Sequence, residues 1–245
     1  MCGVYQGNGL KGHGVENMIH YPKCNLLHMD IGNIHTMRHS LEALDAAIVA
    51  IAGTEDHWLP LVHSSQWLLH LSSVLSAAYL TARLVEQGRS VLVHCSDGWD
   101  RTAQLTSLSQ LLLDPYYRTM EGFLVLVDKE WLAFGHKCHD RLNNPRKPGE
   151  ASPVFVQWLD CVFQVLRQFP MATSGFLEAI YNRTFTLNCE AERVAHNLAA
   201  APMFGMWQYM RHPANQATWR YPGYVPTSKV SRGLTCSLYW GLVWF

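Results

Sequence analysis

Residues 92–102 read Leu92-Val-His-Cys-Ser-Asp-Gly-Trp-Asp-Arg-Thr102, a cysteine and an arginine set between an apolar run and a helical pattern. The apolar run Ser90–Val93 before the cysteine reads as a buried strand, and Thr102–Leu113 after it reads as a helix. A strand, a tight loop and a helix N-terminus form an anion cradle, because loop N–H groups turn inward and the helix dipole adds partial positive charge. A cysteine in that field gives up its proton readily, since the field stabilises the thiolate. Arg101, six positions after Cys95, supplies a rigid two-pronged donor suited to phosphate oxygens. Gly98 provides the Cβ-free position that a loop wrapped about an anion needs. A buried, inert cysteine ahead of an ordinary helix would account neither for Arg101 nor for two aspartates, Asp97 and Asp100, in an apolar neighbourhood.

The spacing Cys-x5-Arg recurs by chance, but the full string closely resembles the signature of the myotubularin family, phosphatases that remove the 3-phosphate from inositol lipids. Four further segments resemble that family in the same order. They are Asn8-Gly-Leu-Lys-Gly-His-Gly-Val-Glu16; Met29-Asp-Ile-Gly-Asn-Ile-His-Thr-Met-Arg38; Leu113–Phe123 continuing into Val127–Arg141; and Ser152–Asp160 leading to Arg167-Gln-Phe-Pro170. Together they cover most of residues 7–170.

The resemblance implies chemistry that the residue types can support. Cys95 is expected to attack phosphorus in line and form a cysteinyl-phosphate, while backbone amides and Arg101 stabilise the equatorial oxygens. Asp100 is the acid that the resemblance suggests for the leaving inositol oxygen, which requires a raised pKa; the competing reading is a carboxylate that braces the loop. The resemblance places Ser96, Asp97, Gly98 and Trp99 of the loop, with Asn8, Asn33, Ile34, Lys137 and Arg141, at the substrate headgroup. Some family members have arginine where Lys137 stands, and a point charge holds a second phosphate differently from a planar fork. Without the resemblance, Lys137 and Arg141 would read as two bases on a solvated face. His94 is expected to brace the loop by a hydrogen bond.

The chain has 245 residues, enough for one substantial core. Lys+Arg and Asp+Glu both number 19, so no global basic field drives binding to nucleic acid or to anionic membrane, and attraction to a phosphoinositide must be local. Nine tryptophans and ten tyrosines indicate a packed body with large anchors. Seven scattered cysteines fit a reduced, cytosolic protein, as a reactive thiolate requires. No metal-ligand spacing is visible and no cofactor is implied. Gly7-Asn-Gly-Leu-Lys-Gly12 fits the dinucleotide fingerprint G-x-G-x-x-G, but no strand–helix–strand unit surrounds it.

The coarse pass along the chain gives an α/β architecture: a cysteine-phosphatase-like central sheet flanked by helices, incomplete relative to the family's catalytic domain. Residues 1–25 read as loop, Leu26–Ile31 as strand, Ile34–Ala52 as helix, Leu59–Ser64 as irregular, and Gln66–Glu86 as a helix beside the catalytic strand. The last of these is apolar enough to consider as a membrane span, but His70 and Arg83 interrupt it. Phe123–Trp131 reads equally as strand or helix. Ser152-Pro153 opens a final helix, with serine as cap.

Residues 1–225 are expected to form a partial myotubularin-type domain and 226–245 a tail without counterpart. Family members are longer and carry a PH-type domain ahead of the catalytic one, so this chain is expected to begin partway through the latter. The implied function is hydrolysis of phosphatidylinositol 3-phosphate and its 3,5-bisphosphate at a membrane surface. The implied location is cytoplasmic, peripheral to endosomal-type membranes, with family members as homo- or hetero-oligomeric partners. The competing reading is a catalytically incompetent member that regulates an active relative. Loss of Cys95 or Arg101 would favour that reading, and both are present.

Overall fold

The structure, a computed structural model, describes residues 2–5, 18–51, 58–143 and 146–168. Three strands, β1 (Cys2–Tyr5), β2 (Asn25–His28) and β3 (Val91–His94), pair in parallel in the order β2-β1-β3. Tyr5 stands opposite both His28 and His94. Parallel strands of one sheet need long crossovers. Between β2 and β3 these are supplied by α1 (Ile34–Ile51), α2 (Trp58–Ser65) and α3 (Trp67–Glu86). After β3 come α4 (Arg101–Leu113), α5 (Met120–Val127), α6 (Cys138–Asn143) and α7 (Val154–Gln168). The described residues are thus mostly helical, and the sheet is three short strands, smaller than the central sheet the sequence suggests.

The core is built around α4. Its Leu105, Leu108, Leu111 and Leu112 are all buried, each worth about 1.5–3 kcal/mol relative to exposure. Gln104, Ser107 and Ser109 are buried as well. These polar groups are satisfied: the Ser109 hydroxyl donates to the Ala78 carbonyl of α3 at 3.0 Å, and the Gln104 amide donates to the Val154 carbonyl and the Gln157 side chain. From a third side Glu130 accepts from the Thr106 hydroxyl at 2.7 Å and the Gln110 amide at 2.9 Å. A helix held on three sides has a fixed axis, so its N-terminus meets the end of β3 in a fixed direction. Trp131, Phe155 and Trp158 fill the space between α5 and α7.

Four local readings are corrected, and one left open, residues 123–131, is decided. Residues 1–25 hold β1 and a 3-10 turn at Met18–His20. The irregular 59–64 is helix α2; Pro60 lies in its first turn, where no N–H donor is needed. Residues 123–131 are helical, α5 running into a π turn at Asp128–Leu132. The Ser152 hydroxyl does not cap α7: it donates to the Ile34 carbonyl at 2.8 Å and ties α7 to the start of α1. The catalytic strand is not fully buried, for Leu92 is 60% exposed. α3 is the one described helix long and apolar enough to cross a membrane, and its Leu71, Val74, Leu75 and Ala78 lie in the core. The Gly7–Gly12 string and the tail from 226 lie outside the described residues.

Candidate active site

β3 ends at His94 and α4 begins at Arg101, so the six residues Cys95–Asp100 form the loop between them. Gly98 has φ +90°, a conformation open to glycine and strained for L side chains, and its N–H donates to the Cys95 sulfur at 3.3 Å. Cys95 is buried, and burial by itself raises its pKa. The Thr102 side chain, then the backbone N–H groups of Thr102, Gly98 and Asp97, outweigh that cost and hold the thiol below its ordinary value. The Thr102 hydroxyl makes no hydrogen bond of ordinary geometry, yet it stands near enough to the sulfur to favour the thiolate. Of these donors the Gly98 N–H makes the hydrogen bond of ordinary geometry to the sulfur.

Arg101 closes the loop on itself. Its Nη2 donates to the Ser96 hydroxyl at 3.0 Å, and its Nη1 lies 3.5 Å from the Ile31 carbonyl just ahead of α1. Ser96 and Asp97 are exposed at the mouth. Lys137 lies over the Trp99 ring, its Nζ 5.0 Å from the centroid, which puts an exposed cation beside the loop. His94 braces the loop as expected, its Nδ1 3.4 Å from the Cys95 carbonyl.

Asp100 departs from expectation. It is 6% exposed and receives both prongs of Arg141, Nη2 at 2.7 Å and Nε at 3.2 Å, with His136 Nδ1 at 3.2 Å. Burial raises its pKa, but His136 and Arg141 outweigh burial and hold the carboxyl below its ordinary value. The raised pKa expected of a resident acid is therefore absent. Arg141 departs as well. It is 8% exposed and occupied by Asp100 and by Glu150, whose carboxylate and carbonyl both accept from Nη1, so it stands behind the loop and not at an open headgroup subsite. The Asn33 Oδ1 accepts from the His35 and Thr36 N–H groups at 3.0 Å each, so it caps α1. Ile34 packs against the core and gives its carbonyl to Ser152. Asn8 lies outside the described residues.

The site thus gathers Cys95, Ser96, Asp97, Gly98, Trp99, Arg101 and Lys137 around the loop, with Asp100 and Arg141 behind it. The sequence reading missed Thr102 and Glu150 as partners. Thr102 was visible as a hydroxyl in the first turn of α4. Glu150 carried no local signal, being joined to Arg141 across the Pro148–Glu150 turn. Among the described residues no group of His, Cys, Asp and Glu could hold a metal ion.

Residues 4–194 match the myotubularin-like phosphatase domain. The chain belongs to the myotubularin family. It is similar to the phosphatidylinositol-3,5-bisphosphate 3-phosphatase MTMR4 of Mus musculus, 47% identical over 186 residues, 73% of this chain and 16% of the relative. It is similar to the myotubularin of Rattus norvegicus, 46% identical over 206 residues, 78% of this chain and 34% of the relative. A third relative, the phosphatidylinositol-3,5-bisphosphate 3-phosphatase MTMR6 of Caenorhabditis elegans, is 39% identical over 239 residues, 91% of this chain and 35% of the relative. The chain spans between 16% and 35% of the length of these relatives.

Proposed function

We propose that this myotubularin-family chain is a phosphoinositide 3-phosphatase that hydrolyses phosphatidylinositol 3-phosphate and 3,5-bisphosphate. One observation carries the reading: the Cys95 sulfur accepts the Gly98 N–H inside a loop that favours its thiolate and that ends on Arg101. The thiolate attacks phosphorus, forming an S–P bond as the P–O bond to inositol breaks. Water then hydrolyses the cysteinyl-phosphate and returns the thiolate and inorganic phosphate. Arg101 and the loop N–H groups hold the oxygens on which charge gathers. Lys137, exposed above Trp99, supports contact with a second phosphate. In the resting protein Asp100 serves as an ionised brace. Bound phosphate loosens the Asp100–Arg141 pair, the carboxylate then takes up a proton from solvent water, and it delivers that proton to the leaving inositol oxygen. The headgroup is met at a membrane surface, on endosomal-type membranes facing the cytoplasm, with other family members as partners.

The test is phosphate release from vesicles containing phosphatidylinositol 3-phosphate, by purified chain whose thermal unfolding is cooperative. Release is expected. Its absence with folded protein would favour a regulator of an active relative, a reading consistent with the ion-paired state of Asp100.

Arg101→Lys is expected to lower kcat by about 10²–10³-fold, since one point charge cannot replace a two-pronged donor to a charging phosphoryl group. Steady-state kinetics on the same vesicles check it, and a near-normal rate would remove Arg101 from the phosphate site.

A further inference from the structure

His136 has entered so far only as a partner of the Asp100 carboxylate. Its side chain is fully buried, with Trp131 edge-on at 4.7 Å between centroids and Phe155 beyond. Its Nδ1 lies 2.8 Å from the Trp99 carbonyl and 3.2 Å from an Asp100 carboxylate oxygen. Both neighbours are acceptors, so Nδ1 carries the proton. Nε2 is buried without a partner among the described residues, so the ring's one polar commitment is to the loop. The turn that follows the π segment presents it: the His136 N–H donates to the Trp131 carbonyl at 3.0 Å, and Gly135 at φ +77° reverses the chain.

We propose that His136 is a positioning residue that sets the peptide plane between Trp99 and Asp100, and through it the anion-binding face of the Cys95 loop. The inference rests on the phosphatase reading for its kinetic consequence but not for its structural one. A trans peptide points its C=O and N–H in opposite directions. Fixing the Trp99 carbonyl on His136 therefore turns the Asp100 N–H away from His136. A loop that binds an anion through successive backbone N–H groups depends on the setting of each plane. The same Nδ1–H also touches the carboxylate that Arg141 grips, so carbonyl and carboxylate are fixed by one ring. The loop is thus held at Trp99 and Asp100 by a residue 37 positions beyond Trp99 in sequence.

The test compares His136→Asn, whose amide N–H falls near the place of Nδ1, with His136→Gln, whose amide reaches past it, and with His136→Leu. All are made in the full chain and checked for cooperative unfolding. Two readouts are used. One is the pH midpoint of iodoacetamide alkylation at Cys95, followed by mass mapping of the Cys95 peptide, which needs no substrate. The other is kcat and KM on phosphatidylinositol 3-phosphate vesicles. His136→Leu and His136→Gln are expected to raise the alkylation midpoint and lower kcat by about tenfold or more, with KM less affected. His136→Asn is expected to restore both toward wild type. If His136→Leu does not fold, the Asn and Gln pair carries the contrast. Equal midpoints in folded Asn and Gln variants and wild type would overturn the proposal. Wild-type protein that releases no phosphate would overturn the phosphatase reading instead, and the alkylation result would still decide the role of His136.

Discussion

Cys95→Ser is expected to abolish phosphate release while leaving a folded chain. The exchange is nearly isosteric, and a serine oxygen can accept the Gly98 N–H that the sulfur now receives at 3.3 Å. Unfolding should stay cooperative at a little-changed temperature, since no methylene is removed from the core and no buried charge is added. The chemistry changes far more. The loop holds the Cys95 thiol below its ordinary pKa, whereas an alcohol, a far weaker acid, remains protonated in the same field. Removing a nucleophile of this kind costs on the order of 10⁴-fold or more in kcat. The loop N–H groups and Arg101 persist, so inorganic phosphate should still bind, as a titration by calorimetry would record. Turnover retained at more than a few per cent would rule out the covalent route. Loss of phosphate binding together with turnover would mean that the substitution had disturbed the loop.

How much of this was legible follows from the range of the interactions involved. The loop was legible because its determinants are local: Cys95, Gly98 and Arg101 lie within seven consecutive residues, between an apolar run and a helix. The helices α1 and α3 were legible from their periodicity, with bounds within a residue or two of the readings, and α7 starts two residues after Ser152. α2 was missed because its eight residues span barely two turns, too few for a period to declare itself. The uniformly apolar Phe123–Val127 has no period to read, and its packing on Trp158 decides for helix. Strand β1 takes its identity from β2 and β3, which lie more than twenty and more than eighty residues away along the chain. Asp100 shows the same limit at the site. The sequence places it in the loop. Its ionisation, however, is set by Arg141 and His136, whose approach depends on the turn after the π segment and on the α6 register.

Asp100→Asn is expected to show two losses that separate the roles of this carboxylate. The first is in stability. Asp100 and Arg141 are both buried, and removing one partner of a buried pair leaves the other charge uncompensated, at a cost of about 3–5 kcal/mol. The asparagine keeps one acceptor for Arg141, which puts the expectation at the lower end of that range. The pH dependence has a definite sign. The folded pKa of Asp100 lies below the ordinary 3.8, so the pair's contribution is complete above that value and is lost as pH falls through the lower folded value. The stability gap between wild type and variant, measured by denaturant titration, should therefore be constant from neutral pH down to about 5 and close only in stronger acid. A gap that opened on acidification would contradict an ionised Asp100. The second loss is in activity. A brace serves every substrate, so kcat should fall on an aryl phosphate, whose leaving group needs little protonation. An acid serves poor leaving groups, so the fall on phosphatidylinositol 3-phosphate should exceed it by about 10²-fold or more. Equal losses on the two substrates would leave Asp100 as a brace alone and require the proton to come from elsewhere. An untouched aryl rate with an untouched unfolding curve would instead mean that the Arg141 pair does not hold the loop.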